Sequence, residues 1–194
     1  WLADDWGFDY KDRIFAAPYI SLSDPDWATS ELTWAIDNGA RSIVMRPAAA
    51  HTASGSFSVA DRRFDPFWSL LNESGITLVV HAGDAGYTSH GYAIDGFTTD
   101  FGIPQPIRML QLERPIEDFL SSLICDNLFH RFPRLRVASV ENGSKFLDGL
   151  FGRLGVVARK MNGWFPEDPV ETFRRHIWIN PFWEDHVDQV VDLM

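Results

Sequence analysis

Cysteine is almost missing from this sequence. Its 194 residues contain one, Cys125, so no disulfide can form within the chain. Cys125 falls inside an apolar helical pattern, which favours a buried structural thiol over a nucleophile. A chain without disulfides is typical of a reducing compartment. We therefore expect a cytoplasmic protein.

Long apolar runs and an excess of basic residues are missing as well. No apolar stretch approaches the roughly 20 residues of a membrane span, and no signal-peptide pattern is present. Lys and Arg number 17 against 27 Asp and Glu, for a net charge of −10. This balance argues against nucleic-acid and membrane partners. It still permits a small anionic substrate that is held by a few local arginines.

Glycine-rich phosphate-binding motifs are a third absence. Neither GxGxxG nor GxxxxGK[ST] follows any segment that is predicted to be a strand. The sequence therefore indicates neither a dinucleotide site nor a P-loop.

The strongest structural pattern in the chain is the apolar run of residues 76–80, which leads directly into His81. An apolar run without polar alternation is typical of a strand that is buried on both faces. Such a strand would be central in a parallel sheet. Its carboxyl end, where His81 lies, is where α/β folds place their functional groups.

The same strand-then-helix pattern occurs five times. The predicted strands cover residues 13–20, 42–47, 76–81, 135–141 and 177–180, and the predicted helices cover 24–38, 61–74, 106–132, 145–161, 168–175 and 184–194. We expect loops at 48–58 and 82–105. Alternation of this kind predicts a parallel α/β sheet, in a single domain spanning 1–194.

Two architectures fit this alternation, a doubly wound sheet and a (β/α)8 barrel of the TIM type. A barrel needs eight units in about 250 residues, and this chain has five. Both ends of the chain also look cut, because it begins at Trp1 without an initiator methionine and its last helical pattern is interrupted at Met194. We therefore expect a partial barrel, an internal piece of a longer protein.

Polar residues at the strand ends are the candidates for chemistry. In chain order they are Tyr19, Arg46, His81, Glu141 and Asn180. His81 and Glu141 end successive strands, so their side chains can converge. Imidazole with carboxylate suits Zn²⁺, or Mn²⁺ where oxygen ligands dominate. Without a metal, the same pair could act as general acid and base.

Several of these residues also have structural interpretations. Glu141 could instead cap the next helix. Arg46 could clamp a substrate carboxylate or pair with a neighbouring acid, and Asp84 could equally be a turn residue.

The remaining histidines divide into two groups. His51 and His90 lie in loops that would face the site. His130 is expected to be structural, near a helix C-terminus, and His176 and His186 are expected at the surface.

Four segments together resemble the amidohydrolase-related family, which includes aminocarboxymuconate-semialdehyde decarboxylase and resorcylate decarboxylases. They are FDPFW at 64–68, GITLVVHAG at 75–83, FPRLRV at 132–137 and ENG at 141–143. The resemblance implies a distorted (β/α)8 barrel of which this chain supplies strands three to seven. It also implies that His81 is a metal ligand. The family usually has a catalytic histidine at the end of strand six, where this chain has Glu141.

The resemblance further implies a divalent metal, Zn or alternatively Mn, and a small carboxylated or ring-derived substrate that is decarboxylated or hydrolysed. Glu141 and Arg46 are the catalytic candidates. The substrate-binding candidates are Arg46, His51, Asp84, His90 and Asn142.

The family's strand-one ligand pair and strand-eight aspartate would lie outside this chain, so we expect the chain as given to be inactive. Two alternatives remain open: a metal-free barrel relative that serves as an interaction module, and a doubly wound enzyme that uses His81 without metal. Assembly into a homo-oligomer is also open.

Overall fold

In the computed structural model of the chain, residues 2–83 and 113–194 are described. The strands of the central sheet alternate with helices, as the sequence predicts. The helices are α1 Leu2–Asp5, α2 Pro25–Asp37, α3 Asp65–Ser74, α4 Arg114–Cys125, α5 Leu128–Arg131, α6 Phe146–Lys160, α7 Pro169–His176 and α8 Val187–Leu193. The strands are β1 Asp9–Tyr10, β2 Ile14–Phe15, β3 Ser42–Met45, β4 Ala50–Thr52, β5 Gly55–Phe57, β6 Thr77–His81, β7 Arg136–Val140 and β8 Ile177–Ile179.

The central sheet is parallel, and its strands lie side by side in the order β3-β6-β7-β8. Neighbours in this sheet therefore follow one another along the chain. A doubly wound sheet reverses its strand order at a switch point, and no reversal occurs among the described strands. This sequential order favours the barrel over the doubly wound alternative.

The first predicted strand is the main error in the predicted sheet. Residues 13–20 do not form one strand: Ile14–Phe15 pairs antiparallel with Asp9–Tyr10, and Tyr19 makes only an isolated parallel bridge to Val44. Pro18 has no backbone N–H to donate to a strand ladder, although its carbonyl accepts from Val44 N–H at 2.9 Å. Among the described residues the parallel sheet thus has four strands and a bridge, where the sequence predicts five strands.

The two faces of the sheet differ in burial. Ile43, Leu78, Val80 and Val137 are almost fully buried, in one apolar cluster with the helices. The opposite face is more open, with Trp178 at 50% exposure. Burial of the β6 strand on both faces was therefore the wrong prediction for the part of the chain that the structure describes.

Helices α2, α3, α6 and α7 lie at their predicted positions, and α2 and α3 show the boundary signals. The helix predicted over 106–132 is instead divided into α4 and α5, with Asn127 between them at φ +53°; residues 106–112 lie outside the described ranges. Asp24 caps α2 by accepting the N–H groups of Asp26 and Trp27, with Pro25 at the first position, as expected for a helix start. Gly75 ends α3 in the left-handed conformation. None of the helices in the described ranges is both long and apolar enough to span a membrane.

Two local predictions need correction. The small-residue loop of 48–58 contains the hairpin β4–β5. His176, expected at the surface, is 5% exposed. Its ring stacks on Phe129 at 4.5 Å, and its Nδ1 lies 3.0 Å from the Leu135 carbonyl oxygen.

Two glycines provide a matched test of the backbone. Gly75 has φ +71°, whereas nothing lies within 4 Å of a Cβ added to Gly152, within α6. We expect Gly75→Ala to lower the free energy of unfolding by about 1 kcal/mol, because a Cβ is strained in this conformation. Gly152→Ala should raise it by about 0.5–1 kcal/mol. Urea unfolding measures both changes, and equal effects would contradict the assignment of Gly75.

Candidate functional site

The register of β6 and β7 positions the two principal candidates. His81 pairs with Val140 across the ladder, and Glu141 is the next residue. Both therefore lie at the carboxyl edge of the sheet. Glu141 has φ +59°, which is unusual for a residue with a long side chain. This backbone conformation directs the chain sharply out of the strand.

The side chains of His81 and Glu141 meet. His81 Nε2 lies 2.8 Å from Glu141 Oε2, and His81 Nδ1 lies 3.0 Å from the Ala82 carbonyl oxygen. Both ring nitrogens thus face oxygen acceptors. A ring with a hydrogen on each nitrogen satisfies both contacts.

The pair is solvent-accessible, with side-chain exposures of 46% and 63%. Exposed ion pairs contribute about 0–1 kcal/mol to stability. Stabilisation of the fold therefore does not account for this arrangement, and its exposure makes it available to a ligand.

Asn142 has a structural function at the same turn. It is 3% exposed, and its amide nitrogen donates to the Val80 carbonyl at 2.9 Å, the Val140 carbonyl at 2.9 Å and Ser139 Oγ at 3.2 Å. These bonds fasten the end of β7 to the end of β6. Sequence reasoning placed Asn142 with the substrate-binding residues and did not identify this function.

Glu113 packs against the turn that follows β7, at Gly143. Gly143 has φ +73°, and a Cβ there would lie 2.5 Å from Glu113 Oε1 and 3.1 Å from the Phe182 ring. Only glycine fits this position without a shift. Burial raises the pKa of Glu113 above its ordinary value, while the backbone N–H of Lys145 opposes this and Asp185 adds to it. No sequence motif pointed to Glu113.

Arg46 follows β3 directly, and Met45 pairs with Val80, so Arg46 is placed beside the end of β6. Its side chain is exposed. A Cβ on Gly83 would lie 3.4 Å from Arg46 Cβ, which shows how closely the chain after His81 passes Arg46. The positive charge of Arg46 thus lies at the same edge as the His81–Glu141 pair.

The other candidates lie further along this edge or outside the described residues. His51 is on the β4–β5 hairpin, and its Nδ1 is 2.8 Å from Ser56 Oγ. Asn180 follows β8, and its N–H donates to the Ser139 carbonyl at 2.9 Å. Asp84 and His90 lie outside the residues that the structure describes.

Cys125 is half-buried. Burial raises the pKa of its thiol, which lowers the fraction present as the nucleophilic thiolate.

His81 and Glu141 have the donor chemistry of a metal site but not the number of donors. Imidazole nitrogen and carboxylate oxygen are normal ligands of Zn²⁺ and Mn²⁺. Across residues 2–83 and 113–194, however, no group of three or more His, Cys, Asp or Glu side chains could hold a metal ion. The pair therefore fits as part of a metal site and does not complete one.

The raised pKa of Glu113 predicts a pH effect on stability. Its carboxyl stays protonated to higher pH in the folded protein than its ordinary value of 4.5. Above that value the unfolded chain binds fewer protons than the folded chain, so this group makes stability fall as pH rises. Glu113→Gln removes the effect and retains an oxygen for the Lys145 N–H.

We therefore expect Glu113→Gln to gain stability relative to the unsubstituted chain as pH rises from 4.5 toward neutrality. Urea unfolding at several pH values measures this difference. Glu73→Gln, at an exposed position of α3, is the matched control. A difference that shrinks with rising pH would contradict the assigned direction.

Comparison with known proteins supplies the family. No protein-family model and no curated protein matches the sequence. Among solved structures, an amidohydrolase of Mycobacterium avium subsp. paratuberculosis K-10 is 38% identical with a TM-score of 0.90; the match covers 100% of this chain and 50% of that one.

Two decarboxylases share the fold at lower identity. The 5-carboxyvanillate decarboxylase of Sphingomonas paucimobilis is 19% identical with a TM-score of 0.67, and the match covers 99% of this chain and 54% of that one. A dihydroxybenzoic acid decarboxylase of Polaromonas sp. JS666, with bound manganese and 2-nitroresorcinol, is 14% identical with a TM-score of 0.63, over 92% of this chain and 53% of that one.

This chain spans about half the length of each of these relatives. The resemblance drawn from the four sequence segments is confirmed, and the parallel α/β fold is that of the amidohydrolase barrels. Over its whole length this chain is therefore similar to proteins of the amidohydrolase family.

Proposed function

We propose that the whole protein is a metal-dependent amidohydrolase-superfamily enzyme, and that this chain contributes part of its active site. The observation that carries the proposal is the 2.8 Å contact between His81 Nε2 and Glu141 Oε2. It lies at the carboxyl edge of a parallel sheet, where barrel enzymes place their catalytic groups.

The substrate in this proposal is a small carboxylated or ring-derived molecule, and the reaction is non-oxidative decarboxylation or hydrolysis. The similarity to this family supports the range, because the similar structures include amidohydrolases and decarboxylases. Arg46 supports a carboxylated substrate, since a guanidinium binds a carboxylate through two parallel hydrogen bonds.

His81 and Glu141 would hold the divalent metal, which polarises a substrate carbonyl or lowers the pKa of bound water when present. We propose Zn²⁺ or Mn²⁺; manganese is the ion bound in the Polaromonas relative. The Ala82 carbonyl fixes the orientation of the His81 ring through Nδ1. Such a second contact is typical of histidines that bind metal through their other nitrogen.

Glu141 gives the site a carboxylate where the family usually has a histidine, and this changes the proton chemistry available there. A carboxylate has two oxygens, so one could hold the metal while the other accepts a proton or a hydrogen bond; unlike an imidazolium, it carries no positive charge. In the proposed reaction Glu141 takes up or delivers the proton at the reacting atom. Its left-handed backbone and the buried Asn142 amide behind it hold that carboxylate in position.

We propose that the chain by itself is inactive or nearly so. The two candidate ligands among the described residues are fewer than the three or four that zinc sites use, and the match covers 50% of the mycobacterial relative. The open sheet face favours a second candidate function, as an interaction module. Trp178 at 50% exposure is an apolar surface that a partner could cover.

Completing the barrel tests the proposed function. This chain would be co-produced with the half of the mycobacterial amidohydrolase that it does not match, and the complex assayed with Mn²⁺ or Zn²⁺ on carboxylated aromatic acids and their amides. We expect metal-dependent turnover in the complex and none with either half alone. His81→Ala should abolish turnover, and Glu141→Gln should lower it by about 10²–10⁴-fold, as for a general acid–base residue.

His130→Ala, at an exposed histidine on α5, is the matched control and should leave the rate unchanged. A complex that assembles but shows no metal-dependent turnover would favour the interaction module. Turnover that survives His81→Ala would contradict the assignment of His81.

A further inference from the structure

The outer side of α2 carries two exposed tryptophans, Trp27 and Trp34. Their exposed fractions are 66% and 45%, whereas Leu32 and Ala35 on the other side of the helix are buried. Residues three and four apart are neighbours on a helix surface, so Glu31 lies between the two indoles. We call the surface of Trp27, Glu31 and Trp34 the α2 face.

Both tryptophans are anchored and still present ring surface to solvent. The ring of Trp34 packs edge-on against the buried Phe8 ring, with centroids 5.3 Å apart. Trp27 is fixed at its backbone, because its N–H donates to the Asp24 carboxylate at 3.0 Å. The α2 face is therefore arranged before any ligand binds, which lowers the entropy lost on binding.

The side-chain charge of α2 is entirely negative. The helix contains Asp26, Glu31 and Asp37 and no Lys or Arg. Across the residues that the structure describes, no hydrogen bond or ion pair engages these three carboxylates. Asp37 lies in the last turn, where the helix dipole disfavours an anion. This charge does not stabilise the helix, and it is available to a cation from outside.

The hydroxyls beside the α2 face already have partners within the helix. Thr29 Oγ1 donates to the Pro25 carbonyl at 2.8 Å, and Ser30 Oγ donates to the Asp26 carbonyl at 2.9 Å. The carboxylate of Glu31 is therefore the polar group that this face offers to a ligand.

Indole rings and a carboxylate attract the same kind of ligand. The face of an aromatic ring attracts a cation, and a carboxylate forms charge-assisted hydrogen bonds with one. A guanidinium also stacks flat on an aromatic ring, and the remaining ring surface suits apolar side chains. The chemistry of the α2 face thus selects an arginine or lysine that is flanked by apolar residues.

We propose that the α2 face docks a cationic segment of a partner protein, with an arginine or lysine on Glu31 and apolar side chains on Trp27 and Trp34. The net charge of −10 supports a partner of opposite sign, since it attracts a basic protein. A second copy of this chain fits less well. It carries the same net charge, and the α2 face has no cation with which to pair with itself.

This inference goes beyond the proposed function and does not depend on it. Two blocked peptides of equal length test it, one with two arginines and two leucines and the other with glutamates in place of the arginines. Each is titrated into the chain while the indole N–H signals of Trp27 and Trp34 are recorded by NMR. We expect the arginine peptide to shift both signals and the glutamate peptide to shift neither. Raising the salt from about 0.02 M to about 0.3 M should weaken binding at least about 3-fold, because exposed charges are screened.

Matched variants locate the contact. Glu31→Lys should weaken the arginine peptide at least about 5-fold and Trp27→Ala at least about 3-fold, as expected for loss of an exposed ion pair and a cation–π contact. Trp183 is 91% exposed, and Glu184 beside it is exposed as well. Trp183→Ala and Glu184→Lys therefore make the same changes elsewhere, and each should leave the affinity within about 2-fold.

Several results would overturn the proposal. Equal binding of the two peptides, or equal weakening by Glu31→Lys and Glu184→Lys, would show that the α2 face does not recognise a cation. A dimer in sedimentation that Trp27→Ala dissociates would assign the face to a second copy. Loss of peptide binding on assembly with the other half of the mycobacterial amidohydrolase would assign it to the rest of the barrel. The comparison of the two peptides on the unsubstituted chain stands even where a variant fails to fold.

Discussion

The parallel register between β6 and β7 is the constraint on which the candidate site depends. It pairs His81 with Val140 and so brings Glu141 next to the imidazole. The Asn142 amide secures this alignment by donating to carbonyls at the ends of both strands. A shift of one residue in either strand would turn His81 toward the helices and separate it from Glu141.

The same sheet accounts for the openness of the site. Its buried face packs on the helices, while the opposite face carries half-exposed side chains such as Trp178. In a closed barrel that face is filled by residues from the remaining strands. The chain spans about half the length of the mycobacterial amidohydrolase, and its described residues bring two donors together, where zinc sites use three or four.

Much of this arrangement could be predicted from sequence because its signals are local. Apolar runs located β3, β6 and β7, and polar residues at their ends identified His81 and Glu141 as neighbours. Features without a clear local signal could not be found this way. Of the first predicted strand, only the Tyr19 bridge joins the sheet. Residues 48–58 contain a hairpin although they lack apolar alternation. His176 is buried because its ring stacks on Phe129.

Our central claim is that His81 and Glu141 form part of a metal site that further ligands must complete. Titrating the chain with Mn²⁺ while recording the NMR signals of its histidine rings tests this most directly. We predict weak, non-saturating binding, with the His81 signals broadened first. Tight stoichiometric binding of Mn²⁺ or Zn²⁺, or broadening of another histidine before His81, would contradict the claim.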